Sequence, residues 1–279
     1  MEPAEYRRSS FETWQATASG WERWRERLAH DLNPVRTWLI RELAPRPGDT
    51  VLELCAGPGE TGFAAAEIVG ERGRLISTDF SPEMVEVARR RGAELGLRNV
   101  DYGVIDAERI ELDHDSVDGV LCQSGYMLMA DPPAALSETR RVLRPGRRVA
   151  LSVWGDPERN PWASAPGRFL VERGHVPPPE PGAPGAFSMA SKERTRELLE
   201  DAGFTAVRID EVAMQWVFRN LDEYQRWLLD VSASLALVMR GLTAEEKEAL
   251  TSRLAEAFAP FAADGGYEVP GLALCAVAS

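Results

Sequence analysis

The sequence predicts an α/β fold: a doubly wound, mostly parallel sheet, preceded by helices and carrying a helical insertion before its last strand. Three observations carry this. Short apolar runs alternate with helical stretches between residues 50 and 154, which is how a parallel sheet covered on both faces reads. A glycine-rich turn, Gly57-Pro58-Gly59-Glu60-Thr61-Gly62, joins the first apolar run to the first of those helices. A long helical stretch at 221–261 stands between the alternation and a final apolar run.

Residues 1–48 are helical by periodicity, with Trp14, Trp21, Trp24, Leu28, Val35, Trp38, Leu39 and Leu43 as the apolar positions. Strands follow at 50–54, 74–78, 100–105, 117–122 and 148–154, with helices at 61–69, 82–95 and 132–143. Ser81 caps the second of these helices and Pro82 suits its first position. Pro145-Gly146 ends the third before its strand. Residues 155–190, rich in proline and glycine, read as an irregular insertion. A helix at 192–202 and an extended run at 206–218 come next. Asn220 with Glu223, and Thr243 with Glu246, have capping-box spacing, so two helices start there. Leu228, Val231, Leu235 and Met239 fall on one helical face. The run at 272–278 is the seventh strand. The expected division is an N-terminal helical lid at 1–48, a core at 49–220 and 264–279, and a helical substrate cap at 221–263.

Charge and composition exclude several classes. A formal net charge of −12 repels a phosphate backbone at long range, so no nucleic-acid partner is expected. The one basic cluster, Arg140, Arg141, Arg144, Arg147 and Arg148, straddles a helix end and a strand start and reads as a solvated edge. The three cysteines, Cys55, Cys122 and Cys275, lie far apart in apolar stretches and read as free buried thiols. No metal-ligand constellation occurs, so no metal is expected. No apolar run spans a bilayer, and Met1–Arg8 is too polar for a secretory signal, so a cytoplasmic protein is expected, monomeric or homodimeric.

The glycine turn admits two cofactors. Gly57, Gly59 and Gly62 fit G-x-G-x-x-G, and Asp79 lies twenty residues past Gly59, the spacing of the ribose-binding acid in nicotinamide enzymes. The same geometry serves S-adenosylmethionine, whose ribose a carboxylate also holds. Further residues favour the latter. Glu53 lies inside the first strand, where an acid is costly unless paired, and it can face the loop amides and a ligand ammonium. Asp106 ends the third strand, where a carboxylate can accept from an adenine amino group. The first strand begins only at Thr50, after a long helical stretch.

Glu53-Leu54-Cys55-Ala56-Gly57-Pro58-Gly59, Thr78-Asp79-Phe80-Ser81-Pro82-Glu83-Met84, Asp106-Ala107-Glu108 and Arg141-Val142-Leu143-Arg144-Pro145-Gly146 occur in order. In these motifs the chain resembles the class I S-adenosylmethionine-dependent methyltransferases. It is most similar to the small-molecule subgroup that includes the ubiquinone and menaquinone biosynthesis enzymes. The resemblance implies a Rossmann-like methyltransferase fold and S-adenosylmethionine as cofactor, with S-adenosylhomocysteine as product. By position, Glu53, Cys55, Ala56, Gly57, Pro58 and Gly59 then hold the methionine part. Asp79 binds the ribose, Phe80 and Met84 pack on adenine, and Asp106 and Ala107 meet its edge. Cys122, Gln123 and Ser124 lie near the sulfonium. Cys55 departs from the family loop, which has glycine there.

The acceptor is expected to be a small apolar or aromatic molecule, held between the N-terminal helices, the Gln123–Met129 loop, the Trp154–Trp162 region and the 221–263 insertion. Trp14, Trp21, Tyr126, Trp154, Tyr224, Trp227, Val231 and Leu235 are the candidate contacts. No catalytic base is named. His30, His114 and His175 have no motif around them, and methyl transfer needs a base only when the acceptor must lose a proton. Asp131-Pro132-Pro133 resembles the D-P-P-Y motif of DNA-methylating enzymes, but it does not follow the fourth strand directly and Ala134 replaces the aromatic residue. A helix cap explains it. A nicotinamide-dependent oxidoreductase and a noncatalytic ligand-binding member of the fold are the alternatives.

Overall fold

The structure is a computed structural model that describes residues 2–180 and 182–279. The chain enters through α1 (Pro3–Asp31) and α2 (Asn33–Leu43). Leu32 separates them, and Pro34 occupies the first turn of α2, where its missing N–H costs nothing. Then β1 (Thr50–Glu53), α3 (Glu60–Val69), β2 (Arg74–Asp79), α4 (Pro82–Glu94), β3 (Val100–Val104) and β4 (Val117–Gln123) alternate. α5 (Pro132–Val142) leads into β5 (Leu143–Trp154), followed by α6 (Pro161–Glu172), α7 (Lys192–Asp201) and β6 (Arg208–Phe218). Three helices, α8 (Leu221–Val231), α9 (Ala233–Arg240) and α10 (Ala244–Phe258), precede the two-residue β7 (Ala262–Ala263) and the closing β8 (Gly266–Ala278).

The sheet order is β3-β2-β1-β4-β5-β8-β6, with β7 pairing the start of β8. β1 to β5 are mutually parallel, and β8 runs antiparallel to both β5 and β6. The predicted seven strands are therefore present, extended by the short β7 hairpin. α2 packs across β4, β5, β6 and β8, while α3 and α4 cover β1, β2 and β3. Leu52, Leu54, Leu75, Leu121 and Leu151 are fully buried at its centre. The chain winds outward in both directions from the β1–β4 pair, so a crevice opens beyond the carboxyl ends of these two strands.

The caps form as their residues dictate. The Ser81 side chain accepts from Met84 N, and Asp131 accepts from Ala134 N at 3.0 Å. Thr243 and Glu246 close a full capping box, whereas Glu223 turns back to the Arg219 amide. Three of the cluster's arginines are ion-paired, Arg141 with Glu138, Arg144 with Asp118, and Arg147 with Asp49 and Asp118, while Arg140 and Arg148 donate to the Leu143 and Glu42 carbonyls.

Three expectations are corrected. β5 touches the sheet at Leu143, before Pro145-Gly146. Leu143 pairs Val117, residues 144–147 bulge out, and the ladder resumes at Arg148 opposite Gly119. The 155–190 stretch is not irregular throughout, since α6 lies in it. Pro161 begins that helix, and Pro166, which cannot donate to the Trp162 carbonyl, leaves that carbonyl to the Tyr224 hydroxyl at 2.5 Å. The 221–261 stretch holds three helices, because the chain breaks at Ser232 (φ −114°, ψ 88°). The face expected to run from Leu228 to Met239 is thus shared between α8 and α9.

Candidate functional site

The turn after β1 is built on left-handed backbone. Cys55 (φ 54°), Gly57 (φ 52°) and Gly59 (φ 89°) all adopt it, and the Ala56 amide donates to Thr78 O. Gly59 is required twice over: its φ suits glycine, and a Cβ there would lie 2.4 Å from Phe63. Gly62 answers a different need. A Cβ at Gly62 would lie 2.2 Å from Oε2 of Glu53. Without it, Glu53 accepts from the Gly62 amide at 2.6 Å and from the Ser77 hydroxyl at 3.1 Å. Burial pushes the Glu53 carboxyl up to about 8.

Asp79 closes the turn from β2. Its Oδ2 accepts from the Gly57 amide and its Oδ1 from the Ser81 amide, both at 3.0 Å, while burial pushes it up to about 6. Asp106, just past β3, accepts from the Glu108 amide through Oδ1, and its Oδ2 lies 3.5 Å from Nε of Arg7. Phe80, Met84 and Ala107 complete this wall.

Cys55 holds its strained conformation against Cys122. The neighbouring Cys122 thiol and then burial push Cys55 well above the ordinary thiol range. Gly125 makes room for the pair, since a Cβ there would lie 2.6 Å from Sγ of Cys122 and 2.8 Å from Sγ of Cys55. Gln123 ends β4 with its Oε1 accepting from the Thr61 hydroxyl at 2.7 Å. That contact orients the carboxamide and leaves Nε2 as a donor at the cavity wall. Ser124 follows in left-handed backbone (φ 59°), and its amide donates to Ser152 O at 2.9 Å.

These residues line one end of a cavity of about 980 Å³. Glu53, Cys55, Ala56, Gly57, Pro58, Asp79, Phe80, Met84, Asp106, Ala107, Gln123 and Ser124 all face it, whereas Gly59 and Cys122 lie behind the wall. The other end is apolar and aromatic. Trp154, Trp227, Val231 and Leu235 line it, as do segments from α1, α2, the loop after β4 and α6, while Trp14 and Trp21 face the cavity beside Met84. Trp154, Trp162, Trp216 and Trp227 stand in succession with ring centres 4.9, 5.1 and 4.9 Å apart.

Two candidate contacts are corrected. Tyr126 and Tyr224 are absent from the wall. Each is fully buried with its hydroxyl spent inside the protein, on Thr139 and on Trp162 O respectively. Conversely, Trp216, Phe187 and Tyr6 line the cavity without having been singled out, and Trp162, which ends the expected Trp154–Trp162 wall, lines it too. Trp216 stands at a buried position of β6's alternation, a signal the sequence did carry. The helix that carries Trp162 lay in the stretch read as irregular. Among the described residues, no helix is long and apolar enough to cross a membrane.

Comparison with known proteins bears on the domain and the fold. The family profile described as a methyltransferase domain matches residues 51–146. Over 113 residues, or 40% of this chain and 48% of the relative, the sequence is 36% identical to the 2-phytyl-1,4-naphtoquinone methyltransferase of Synechococcus elongatus. It is 35% identical to the demethylmenaquinone methyltransferase of Clavibacter sepedonicus, over 44% of this chain and 48% of that one. The matches thus span about half of each relative. A SAM-dependent methyltransferase structure from Aquifex aeolicus superposes with a TM-score of 0.51 at 21% identity, covering 76% of this chain and 93% of the other. The chain carries a methyltransferase domain at residues 51–146 and has the fold of the class I S-adenosylmethionine-dependent methyltransferases.

Proposed function

We propose that this chain transfers the methyl group of S-adenosylmethionine to a small apolar or aromatic acceptor by in-line displacement. The observation that carries the reading is the single cavity with an acidic, backbone-built end and an indole-lined end. The residues present fit the cofactor. Asp79 keeps lone pairs for ribose hydroxyls beside its two amide contacts, Phe80 and Met84 flank the place for adenine, and Asp106 offers a carboxylate at its edge. At the start of α3, Gly59 has no side chain to cap the helix and Glu53 takes only the Gly62 amide, so the Glu60 and Thr61 amides and the helix's partial positive charge remain for a carboxylate. Glu53, once ionised, faces an ammonium group.

Bound there, S-adenosylmethionine supplies an already activated methyl group. The chain's own part is then to orient and to exclude water. Gln123, fixed by Thr61, and Ser124 stand where the two ends of the cavity meet. The indole wall holds a flat acceptor against them, and α1 with the α8–α9 helices acts as the lid and cap. In the displacement, a lone pair of the acceptor forms the new bond to the methyl carbon as the carbon–sulfur bond breaks, leaving S-adenosylhomocysteine. Any proton on the acceptor atom passes to solvent or to the acceptor's own base.

The nicotinamide reading is not favoured. Its strand order places a parallel strand beside β5, where this sheet has the antiparallel β8. The test is turnover. Purified protein, S-adenosylmethionine and a panel of hydroxynaphthoquinones and polycyclic phenols should form S-adenosylhomocysteine with a methylated acceptor. Tight cofactor binding with no turnover on any acceptor would leave a noncatalytic binding protein.

A further inference from the structure

The two halves of α1 are held in different ways. Its second half is anchored. Thr17, Ala18, Gly20, Leu28 and Asp31 are buried, and Gly20 lies so close to α8 that a Cβ would stand 2.2 Å from Asp230 O. The Trp21 indole N–H donates to Val231 O at 3.0 Å and that of Trp24 to Asp230 at 2.8 Å. The first half is held more lightly. Among the described residues from 2 to 16, none is buried. It nevertheless lies across the adenosine end of the cavity, and Tyr6, Arg7, Ser10 and Trp14 line it together with Phe80 and Asp106.

Trp14 packs on Met84 and Val87, and nearer the N-terminus polar contacts at the rim hold this half down. Arg7 pairs with Glu108 and approaches Asp106. The Tyr6 hydroxyl donates to Leu128 O at 3.0 Å, and Phe11 meets the edge of Phe80 at 5.8 Å. Arg7 is 43% exposed at the rim and Glu108 only 7%, so the pair is both reachable by salt and partly shielded. Beneath it, Asp79, Met84 and Ala107 are buried. A segment with few buried contacts opens more cheaply than the core it covers.

We propose that the first half of α1 is the gate through which the cofactor exchanges, and that Arg7 on Glu108 and Asp106 is its latch. The gate hinges where α1 meets Asp230. This rests on the reading that the cavity holds S-adenosylmethionine. A latch made alike in the empty and occupied protein changes how often the gate opens, not which state the ligand prefers. Association and dissociation then speed up together when it is removed.

Stopped-flow tryptophan fluorescence with S-adenosylhomocysteine tests this on the full chain. Arg7→Ala and Glu108→Gln should each raise both rate constants on the order of tenfold, the range of a charge-assisted hydrogen bond, with the dissociation constant little changed. Glutamine at 108 still accepts the Ala130 amide that Glu108 holds at 2.8 Å. Arg7→Lys should restore slow exchange in part. Added salt should hasten exchange in the wild type and not in Arg7→Ala. Unchanged rates, or a faster dissociation alone with weakened affinity, would overturn the gate. Wild-type protein that binds no S-adenosylhomocysteine would overturn the underlying reading, and the gate with it.

Discussion

At the Gly57 end of the cavity, backbone does most of the holding: left-handed turns, two amides on Asp79, one on Glu53 and the open start of α3. At the Trp227 end, side chains do it, drawn from α1, the loop after β4, β5, α6, β6 and α8. The difference teaches where each end tolerates change. A turn is broken by a single Cβ or a lost carboxylate with little effect elsewhere. An indole wall is also core, so altering it disturbs stability and recognition together.

The largest expected effect sharpens that contrast. Trp227→Ala removes an indole packed against Trp216, Trp162 and Phe218, and should cost about 3–5 kcal/mol in denaturant unfolding. A loss under about 1 kcal/mol would show that the wall is not core. Asp79→Ala comes next. It loses charged hydrogen bonds worth roughly 1.5–3 kcal/mol each, and calorimetry should find S-adenosylhomocysteine affinity at least ~10-fold weaker. Unchanged affinity would break the assignment of the backbone-built end.

Leu235→Arg places a charge in the apolar end. Acceptor kcat/KM should fall on the order of tenfold while cofactor affinity holds, because the two ends are separate in their chemistry. Equal losses in both would mean the ends are not distinct. Glu53 gives a pH test. Burial holds its carboxyl at about 8, so at neutral pH the empty site is largely protonated, and a bound ammonium favours the ionised form. Cofactor affinity should therefore rise several-fold from about pH 6.5 to 8.5 with proton release, and Glu53→Gln should flatten the profile. The linked stability runs the other way. The unfolded chain ionises near 4.5 and the folded one near 8, so the empty protein loses stability as pH rises between these values. Thermal denaturation of Glu53→Gln should lack the part of that decline above about pH 6, the part below it being shared with Asp79, which burial raises to about 6. The smallest effect is Tyr224→Phe. It strips the donor from the Trp162 carbonyl beneath Pro166 and should cost about 1 kcal/mol of stability without touching the cavity wall.

The same contrast governs what was legible in the sequence. The turn from Glu53 to Gly62 and the Ser81 and Asp131 caps follow from residues adjacent in the chain, so local pattern sufficed. Gly62 is partly an exception: its role as the gap for Glu53 shows only when β1 and α3 meet. The aromatic end joins Trp154, Trp162, Trp216 and Trp227 from four elements, and no spacing rule relates them. α6 was hidden by Pro161 and Pro166, because the compensation for Pro166 comes from Tyr224 in another helix. Tyr126 and Tyr224 were misplaced for the same reason: an aromatic near the site reads alike in sequence whether it faces the cavity or spends its hydroxyl behind it.

The central claim is that the glycine turn with Asp79 and Glu53 holds S-adenosylmethionine. Calorimetric titration of the full chain with S-adenosylhomocysteine and, in parallel, with NADH tests it most directly. The account predicts saturable one-to-one binding of S-adenosylhomocysteine, weakened at least ~10-fold in Asp79→Ala, and no saturable NADH binding. Binding of NADH with none of S-adenosylhomocysteine would contradict it.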